Sequence, residues 1–185
     1  ERENCDGYAY DPENPSQHII DMSENEIEVP EDYTREELRQ DLLCYTSPVL
    51  KEDLVLTGDM TAELYISSDA PDTDFVVRVT DVDENGRSIK LADGLLSARY
   101  RNGFARSEFL QEGEIVCLKI RTTKLSNCFR KGHRIRVTVT SSAKNFIFPN
   151  SNTREGFASA RTVVAHNRVY HGGLHASRLT VRVEP

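Results

Sequence analysis

The stretch His133–Ser141, with the sequence HRIRVTVTS, decides the fold class of this chain. Ile135, Val137 and Val139 alternate with polar residues, so one face of an extended segment is apolar and the other is polar. This period of two is typical of a β-strand that lies against a hydrophobic core. We expect the opposite face to contact solvent or a partner.

Four other segments have strand-like patterns, and one of them is apolar on both faces. Phe75–Val82 has that two-sided pattern and is predicted to be a central strand. The other three, Met60–Ser67, Ile115–Thr122 and Arg178–Val183, alternate as His133–Ser141 does. The side chains predicted to face the core are Ala62, Leu64 and Ile66, then Val116, Leu118 and Ile120, then Leu179, Val181 and Val183.

Turn signals that contain glycine separate these segments. They are Thr57–Asp59, Asp83–Gly86, Gln111–Gly113 and Arg130–Gly132. The sequence has neither long amphipathic helical patterns nor the strand–helix alternation that a parallel sheet requires. It therefore predicts a mostly β fold, a two-sheet antiparallel β-sandwich of the jelly-roll kind.

The first forty residues differ from the rest. Between Asp11 and Arg39 the chain is acidic and is interrupted by three prolines, so we predict an irregular arm with one helical turn within Thr34–Leu42. We expect residues 1–40 to wrap the domain or to lead in from another domain, and residues 41–185 to form the sandwich.

Composition excludes several classes of function. The chain has 185 residues, enough for one domain with a substantial core. It has 23 lysines and arginines against 30 acidic residues, a net charge of −7, which opposes binding to nucleic acid or to anionic membranes. No apolar run reaches the length of a membrane span. The four cysteines form no C-x-x-C pair, so we expect free thiols and a cytoplasmic location.

No nucleophile motif is convincing. An α/β-hydrolase places its serine in G-x-S-x-G, because small neighbours permit the strained turn that exposes the hydroxyl. The nearest match, Gly156–Ala160, has the wrong spacing and lacks the second glycine. The triplet His171-Gly172-Gly173 resembles an oxyanion-hole motif but has no nucleophile after it, and a turn before the last strand is the better interpretation. We predict no catalytic residue in this chain.

Cation sites are also weakly indicated. Asp81–Gly86 matches the first half of a calcium-binding EF-hand loop, but Ala92 stands where a bidentate glutamate is needed, and a hairpin turn explains these residues equally well. A calcium-stabilised interaction domain is the corresponding alternative. The histidines His166, His171 and His175 crowd the last loop without the spacing of a known zinc motif. We predict no metal and no cofactor.

A run of carboxylates could in principle supply an acid and a base to a glycosidase. It comprises Asp69, Asp72 and Asp74, with Asp81 and Asp83 following. Sequence spacing does not fix their separation in space, on which such chemistry depends. A solvated, charge-rich loop is the ordinary alternative.

Several motifs occur together in a fixed order. They are YDPENP at Tyr10–Pro15, RQDLLCYTS at Arg39–Ser47, LTGDMTAEL at Leu56–Leu64, SDAPDTDF at Ser68–Phe75, LADG at Leu91–Gly94, RYR at Arg99–Arg101, FRKGHRIR at Phe129–Arg136 and HASRL at His175–Leu179. As a set they resemble the C-terminal domain shared by X-Pro dipeptidyl-peptidases, cocaine esterase, α-amino acid ester hydrolases and glutaryl acylases. The likeness covers nearly the whole chain. Gln40, Asp59 and Ala176 replace prolines of that pattern, and Ser97 stands where arginine is common.

The resemblance implies a jelly roll of the galactose-binding-like type that follows an α/β-hydrolase domain. In that family the hydrolase domain contributes the catalytic Ser, Asp and His, and none of the three maps onto this chain; His133 matches a structural histidine at the start of a strand. The implied role is a non-catalytic domain that packs on the catalytic domain of the same polypeptide and shapes substrate access or an oligomer contact. A homo-oligomer is the other partner considered.

Two hypotheses complete the prediction. Five large apolar residues fall in loops: Phe104, Phe109, Phe146, Ile147 and Phe148. We expect them to form an apolar patch where the catalytic domain docks; the alternative is that they plug the ends of the sandwich.

The rival function is a stand-alone carbohydrate- or ligand-binding module. The lack of tryptophan and of clustered aromatic residues argues against it.

Overall fold

The computed structural model describes residues 4–20 and 30–183, which contain twelve β-strands and three short 3-10 turns. The strands are β1 Cys5–Tyr10, β2 Leu42–Thr46, β3 Leu54–Gly58, β4 Thr61–Ser68, β5 Asp74–Val82, β6 Ser88–Ser97, β7 Val116–Arg121, β8 Leu125–Phe129, β9 Arg134–Thr140, β10 Ala165–Gly172, β11 His175–Ala176 and β12 Arg178–Thr180. The 3-10 turns are Glu36–Leu38, Ala98–Tyr100 and Gly156–Ala158. In the described residues, no helix has the length and apolar character of a membrane span.

Two antiparallel sheets form the layers of a β-sandwich. One contains β1, β10, β4 and β12 in that order, with β7 on the other edge of β4 and β11 beside β10. The other has the order β2, β9, β5, β6, and a small third sheet pairs β3 with β8. The predicted mostly β sandwich is therefore confirmed. Three of the four predicted turns fall between strands, and the fourth, Thr57–Asp59, overlaps the last two residues of β3.

The core lies between the two large sheets, where alternation along the strands sends apolar side chains inward. Leu64 and Ile66 of β4 meet Phe75 and Val77 of β5, and each is at most 5% exposed. Burying one such side chain contributes about 1.5–3 kcal/mol. The prediction that Phe75–Val82 is central is confirmed, because β5 pairs with both β6 and β9.

The arm covers the outer face of the four-stranded sheet. Tyr33 is fully buried there, and its ring lies 4.8 Å from the guanidinium carbon of Arg78, which projects outward from β5. The carboxylate of Glu37 accepts a hydrogen bond from the Ser88 hydroxyl at 2.8 Å. The polar face of β9 is consequently buried toward its end, at Thr138 and Thr140, so the arm is the partner of that face.

The arm matches its prediction over residues 11–20 and 30–39, which are irregular except for the helical turn Glu36–Leu38. Residues 21–29 lie outside the described part. Cys5–Tyr10, which the sequence analysis placed in the arm, instead forms β1 and brings Tyr8 and Tyr10 into the core. The division of the chain at residue 40 stays a prediction.

The last predicted strand is shorter than its apolar pattern suggests. β12 ends at Thr180, after which the chain leaves β4 and bridges to Leu56 of β3 through Val183. Leu179 and Val181 are half-buried, but Val183 is 52% exposed, so its predicted inward position is wrong.

Candidate functional site

Three loops meet at one end of the sandwich, and Arg99 fastens them together. Its backbone N–H and its Nε donate to the two oxygens of Asp72 at 2.9 and 2.7 Å. Its two terminal nitrogens donate to the carbonyl oxygens of Arg154 and Thr153 at 2.9 and 3.0 Å. One guanidinium thus joins the β4–β5, β6–β7 and β9–β10 loops, and both members of the ion pair are largely withdrawn from solvent.

A second carboxyl group lies beside this pair. The side-chain amide of Asn150 donates to Asp72 at 2.7 Å and to Asp74 at 2.9 Å, so one amide bridges two buried acids. Burial raises the pKa of Asp74, and the hydrogen bonds from Ser97 and Asn150 oppose this shift without cancelling it. Asp72 therefore supplies the negative charge that balances Arg99, while the surroundings of Asp74 favour its neutral form.

A shallow cavity of about 150 Å³ lies above these polar groups. Tyr100, Phe148 and Phe157 line it, together with Asp74 and Arg99. The Phe148 and Phe157 rings stack with centroids 6.0 Å apart.

The ring of Phe104 extends the same patch. Its centroid lies 5.4 Å from that of Tyr100. We call Tyr100, Phe104, Phe148 and Phe157 the aromatic surface. Its three phenylalanines are 79%, 80% and 75% exposed, respectively, which is unusual for such large apolar side chains.

Local backbone geometry turns two of these rings outward. In the 3-10 turn Ala98–Tyr100, Ala98 is buried while Tyr100 borders the cavity. In the turn Gly156–Ala158, Gly156 has φ of +61° and packs so closely that an added Cβ would lie 3.1 Å from Arg99 Nη2. Glycine allows both the positive φ angle and the close approach of Arg99, because it has no Cβ. The turn then presents Phe157 to solvent.

The five residues predicted to form a docking patch do not all behave alike. Phe104 and Phe148 are exposed as predicted. Phe109 is half-buried, its ring 5.2 and 4.6 Å from the Arg99 and Arg154 guanidinium carbons, and Ile147 is half-buried too.

Phe146 belongs to a different part of the surface. It is 46% exposed and stacks on the imidazole of His18 in the arm, with centroids 5.0 Å apart. Tyr100 and Phe157 were not among the residues predicted for the patch, although they too lie between strand patterns, which is the signal that selected the other five.

The two weak hydrolase motifs have structural explanations. Ser159 follows the 3-10 turn in the β9–β10 loop, and its hydroxyl donates to the carbonyl of Arg161 at 2.8 Å instead of standing on a strand-to-helix elbow. His171 and Gly172 end β10, and Gly173, with φ of +61°, turns the chain into β11. Of the triplet His171–Gly173, only Gly173 lies in the turn, and that turn precedes β11, not the last strand.

The EF-hand-like segment Asp81–Gly86 forms the hairpin between β5 and β6. The Asp83 carboxylate accepts the backbone N–H groups of Asn85 and Arg87 at 2.8 and 2.9 Å, and Gly86 adopts φ of +84°. Asp81 lies on β5, where its carboxylate contacts Nδ1 of His133 at 2.9 Å. These contacts are those of a capped turn, as the hairpin alternative expects.

The histidines near the C-terminus are dispersed among separate contacts. His166 pairs with Asp69 at 2.6 Å, His171 pairs with Asp6 at 3.2 Å, and the ring of His175 packs on Tyr65. Over residues 4–20 and 30–183, no three His, Cys, Asp or Glu side chains gather in a way that could hold a metal ion.

The acidic run is divided in the same way. Asp69 faces His166, Asp81 faces His133, and only Asp72 and Asp74 come together, buried around Asn150. Asp72 is held in an ion pair with Arg99, so the contacts of this pair are structural. The acid and base of a glycosidase would instead need access to solvent and substrate.

Comparison with known proteins identifies the family. Residues 3–180 match the family described as the X-Pro dipeptidyl-peptidase C-terminal non-catalytic domain. The chain belongs to this family. It is 35% identical over 188 residues to the cocaine esterase of Rhodococcus sp. (strain MB1 Bresler), an alignment that covers 98% of this chain and 32% of the esterase.

Solved structures show the same fold in longer proteins. An aminopeptidase from a marine sediment Thaumarchaeota archaeon superposes with a TM-score of 0.91 at 24% identity, over 100% of this chain and 34% of that one. An α-amino acid ester hydrolase superposes with a TM-score of 0.91 at 23% identity, over 97% of this chain and 32% of that one. The chain thus spans about a third of the length of these relatives.

Within this family domain, the charged residues of the motifs form ion pairs that hold segments of the chain together. Arg39 and Asp41 of the RQDLLCYTS motif pair with each other at 2.7 Å. Asp72 of SDAPDTDF pairs with Arg99 of RYR, and His133 of FRKGHRIR pairs with Asp81. The motifs that carry the resemblance therefore specify how strands and loops are held, as suits a non-catalytic domain.

Proposed function

We propose that this domain is the non-catalytic part of a serine hydrolase with esterase or peptidase activity, and that its aromatic surface packs against the α/β-hydrolase catalytic domain of the same polypeptide. The observation that carries the proposal is the exposure of Phe104, Phe148 and Phe157 on loops that are held in place. Family membership and the longer relatives, named as esterases, an ester hydrolase and an aminopeptidase, support it.

The aromatic surface has the physical properties of a docking site. Exposed phenylalanines leave apolar area in water, and burying each one against a partner contributes about 1.5–3 kcal/mol. Large aromatic side chains are enriched among the residues that dominate binding energy at interfaces. The Arg99 contacts fix the loops beforehand, which reduces the entropy lost when a partner binds.

A role in shaping substrate access follows from the same arrangement. If the catalytic domain covers Phe148 and Phe157, the cavity that these rings border lies at the boundary between the two domains. We propose that this boundary forms part of the substrate entrance, and that the substrate is an ester, a peptide or an acyl amide.

The test separates the two domains. The coding sequence upstream of Glu1 is recovered, the encoded catalytic domain and this chain are produced as two polypeptides, and their association is followed by titration calorimetry. We expect association that the double substitution Phe148→Ser and Phe157→Ser weakens at least tenfold. The matched control is Leu38→Ser, because Leu38 is 76% exposed and belongs to the arm, not to the loops that form the aromatic surface.

Two results would contradict the proposal. One is equal association by the double variant and the wild type. The other is saturable hydrolysis of p-nitrophenyl esters by the isolated 185-residue chain that substitution of a single Ser or His abolishes. Saturable binding on a glycan array, without association with the catalytic domain, would instead support the carbohydrate-binding alternative.

We also propose a cytoplasmic location and a homo-oligomeric parent protein. The four free cysteines, of which Cys5 and Cys44 are exposed, support a reducing compartment. Thiol trapping in intact cells tests the location, and sedimentation velocity of the joined polypeptide tests the oligomeric state. Oxidised thiols in the cell, or a monomer in solution, would count against the respective proposal.

A further inference from the structure

The core of the sandwich is filled unevenly. Toward the aromatic surface, inward side chains such as Ile66, Phe75 and Leu118 have no exposure at all. Toward the opposite end, Tyr45 of β2, Val137 of β9 and Leu179 of β12 also pack on the core, but each remains half-buried. The two sheets are therefore open to solvent on that side.

Two adjoining cavities occupy the opening. They measure about 140 and 370 Å³, and Tyr45, Val137 and Leu179 line both of them. The smaller reaches Val169 on β10, and the larger reaches Val181 beyond β12. We call this space the inter-sheet groove.

The inter-sheet groove is open to solvent and is large enough to admit a small molecule. Its walls are mostly apolar side chains, and its size is that of small-molecule sites, about 300–1,000 Å³. An apolar ligand would thus complete the core at this end.

The mouth of the groove carries an arginine that can bind a further anion. Arg178 borders the smaller cavity, is 61% exposed and contacts the carboxylate of Glu63. That carboxylate also lies 3.4 Å from Lys119, so two cations share one anion. A guanidinium has five N–H donors and can bind a second carboxylate in a bidentate fashion.

A second acidic group near the mouth, Asp6, is also engaged. Asp6 lies 3.2 Å from Nε2 of His171 and accepts a hydrogen bond from the Tyr45 hydroxyl at 3.1 Å. Both of those residues line the smaller cavity. The mouth thus combines an apolar interior with N–H donors on Arg178 that Glu63 does not occupy.

We propose that the inter-sheet groove binds an unbranched apolar carboxylate of the fatty-acid class, with its hydrocarbon chain between the sheets and its carboxylate on Arg178. A hydrocarbon chain has no polar groups to satisfy. The side chains of Val137, Leu179 and Val181 in the walls of the groove offer no hydrogen-bond partner, which favours a ligand chain without polar groups. The site is independent of the aromatic surface, which lies at the other end of the domain.

Titration calorimetry of the 185-residue chain with sodium decanoate tests the proposal. We expect saturable binding to one site. Leu179 lines both cavities. Leu179→Trp should therefore fill the space where they adjoin and weaken binding at least tenfold. Leu38→Trp adds the same side chain at an exposed position of the arm and should leave binding unchanged.

The role of Arg178 is tested separately. Arg178→Gln should weaken decanoate binding about tenfold, since it removes a charge-assisted hydrogen bond, and should leave binding of 1-decanol unchanged. Arg130→Gln is the matched control, because Arg130 is an exposed arginine that pairs with Asp53 elsewhere on the surface.

Three results would overturn the proposal. The first is a wild-type chain that shows no saturable decanoate binding. The second is equal binding by the Leu179→Trp variant and the wild type. The third is a chain that dimerises in sedimentation and dissociates on Leu179→Trp, which would make the groove a protein interface.

A measurement on the wild type covers the case in which Leu179→Trp does not fold. Methyl NMR signals of Val137, Leu179 and Val181 should shift on decanoate addition, while those of Leu38 on the arm should not. Uniform small shifts across all of these methyl groups would contradict a defined site.

Discussion

The imidazole Nε2 of His18 lies 2.8 Å from the ammonium nitrogen of Lys90, so the arm and β6 meet through two nitrogens. The contact is favourable because Nδ1 of His18 donates to the carbonyl of Ile20 at 2.9 Å, which leaves Nε2 unprotonated and able to accept a hydrogen bond from lysine. Glu31 and Asp93 complete the cluster, at 2.7 and 3.0 Å from the same ammonium group. This His18 cluster is largely buried and fastens the arm to the sheet.

Removal of the lysine charge should loosen the arm. Lys90→Met leaves Glu31 and Asp93 without their shared cation, and breaking a buried ion pair typically costs about 3–5 kcal/mol. Urea denaturation should show a loss in the free energy of unfolding of about that size. Lys119→Met is the control, because Lys119 is exposed beside Glu63 and should cost less than about 1 kcal/mol. Equal losses of unfolding free energy in the two variants would contradict the stabilising role of the His18 cluster.

The His18 cluster should also set part of the acid sensitivity. Burial by itself would raise the pKa of Asp93, but its contacts within the His18 cluster, the charge of Lys90 among them, outweigh burial and lower the pKa to about 2. A lowered folded-state pKa stabilises the fold above the unfolded value near 4, and this contribution is lost as the pH falls toward 2. We expect a loss of about 2 kcal/mol over that window.

The comparison is with Asp93→Asn, followed by urea denaturation between pH 2 and pH 7. The variant should be less stable than the wild type at pH 7 and should approach it near pH 2. Parallel stability profiles for the two proteins would show that Asp93 does not titrate as inferred.

The neighbouring acids Asp72 and Asp74 should respond oppositely to the same substitution. Asp72→Asn leaves the Arg99 charge uncompensated and should lower the free energy of unfolding by about 3 kcal/mol or more. Asp74→Asn should stabilise the protein at pH 8, because burial raises the pKa of Asp74 and makes its ionised form costly.

The sign of the Asp74 effect fixes its pH dependence. A raised folded-state pKa contributes stability below the unfolded pKa, and that contribution is lost as the pH rises through the folded-state value. The advantage of Asp74→Asn should therefore shrink as the pH falls to 3. Thermal unfolding at the two pH values measures it, and an advantage of constant size would contradict the buried-acid interpretation.

Gly94 should not tolerate a side chain. A Cβ atom at this position would lie 2.4 Å from the carbonyl oxygen of Arg121 on β7, against backbone that cannot rotate away. We expect Gly94→Ala to cost about 1–3 kcal/mol, as overpacking does. Gly7→Ala in β1 is the matched control, since its Cβ would be at an ordinary 3.4 Å from Asn167. Chemical denaturation of both variants measures the two free energies of unfolding. A Gly94→Ala variant as stable as the wild type would contradict the close approach of Gly94 to Arg121.

Alternation was sufficient to find the strands that have one apolar and one polar face. His133–Ser141 and Met60–Ser67 were found because their side chains meet a core on one side only. Cys5–Tyr10 was missed, since its inward residues are the tyrosines Tyr8 and Tyr10, whose hydroxyls reach Ser141 and the Asn150 carbonyl at 2.8 and 3.3 Å. A strand whose core residues are amphipathic carries no simple hydrophobic period.

The candidate sites were harder to predict because they depend on contacts between distant segments. Phe104 and Phe148 could be selected as loop aromatics, but only the folded loops show that Phe109 lies between two arginines while Phe157 points outward. The inter-sheet groove had no sequence signal at all. Its lining residues have the same alternation as filled core, and only the way the two sheets meet leaves the space open.

The pairing of β1 with β10 determines how the domain resists mechanical load. Six residue pairs, from Cys5↔Tyr170 to Tyr10↔Ala165, align the two strands in antiparallel register, with hydrogen bonds perpendicular to the strand axis. A pull on the N-terminus along that axis therefore loads these bonds together in shear, instead of unzipping them one at a time. Force applied at the N-terminal end of β1 would meet this strand before the side-chain contacts of the arm, so β1 bears load as well as forming part of the core.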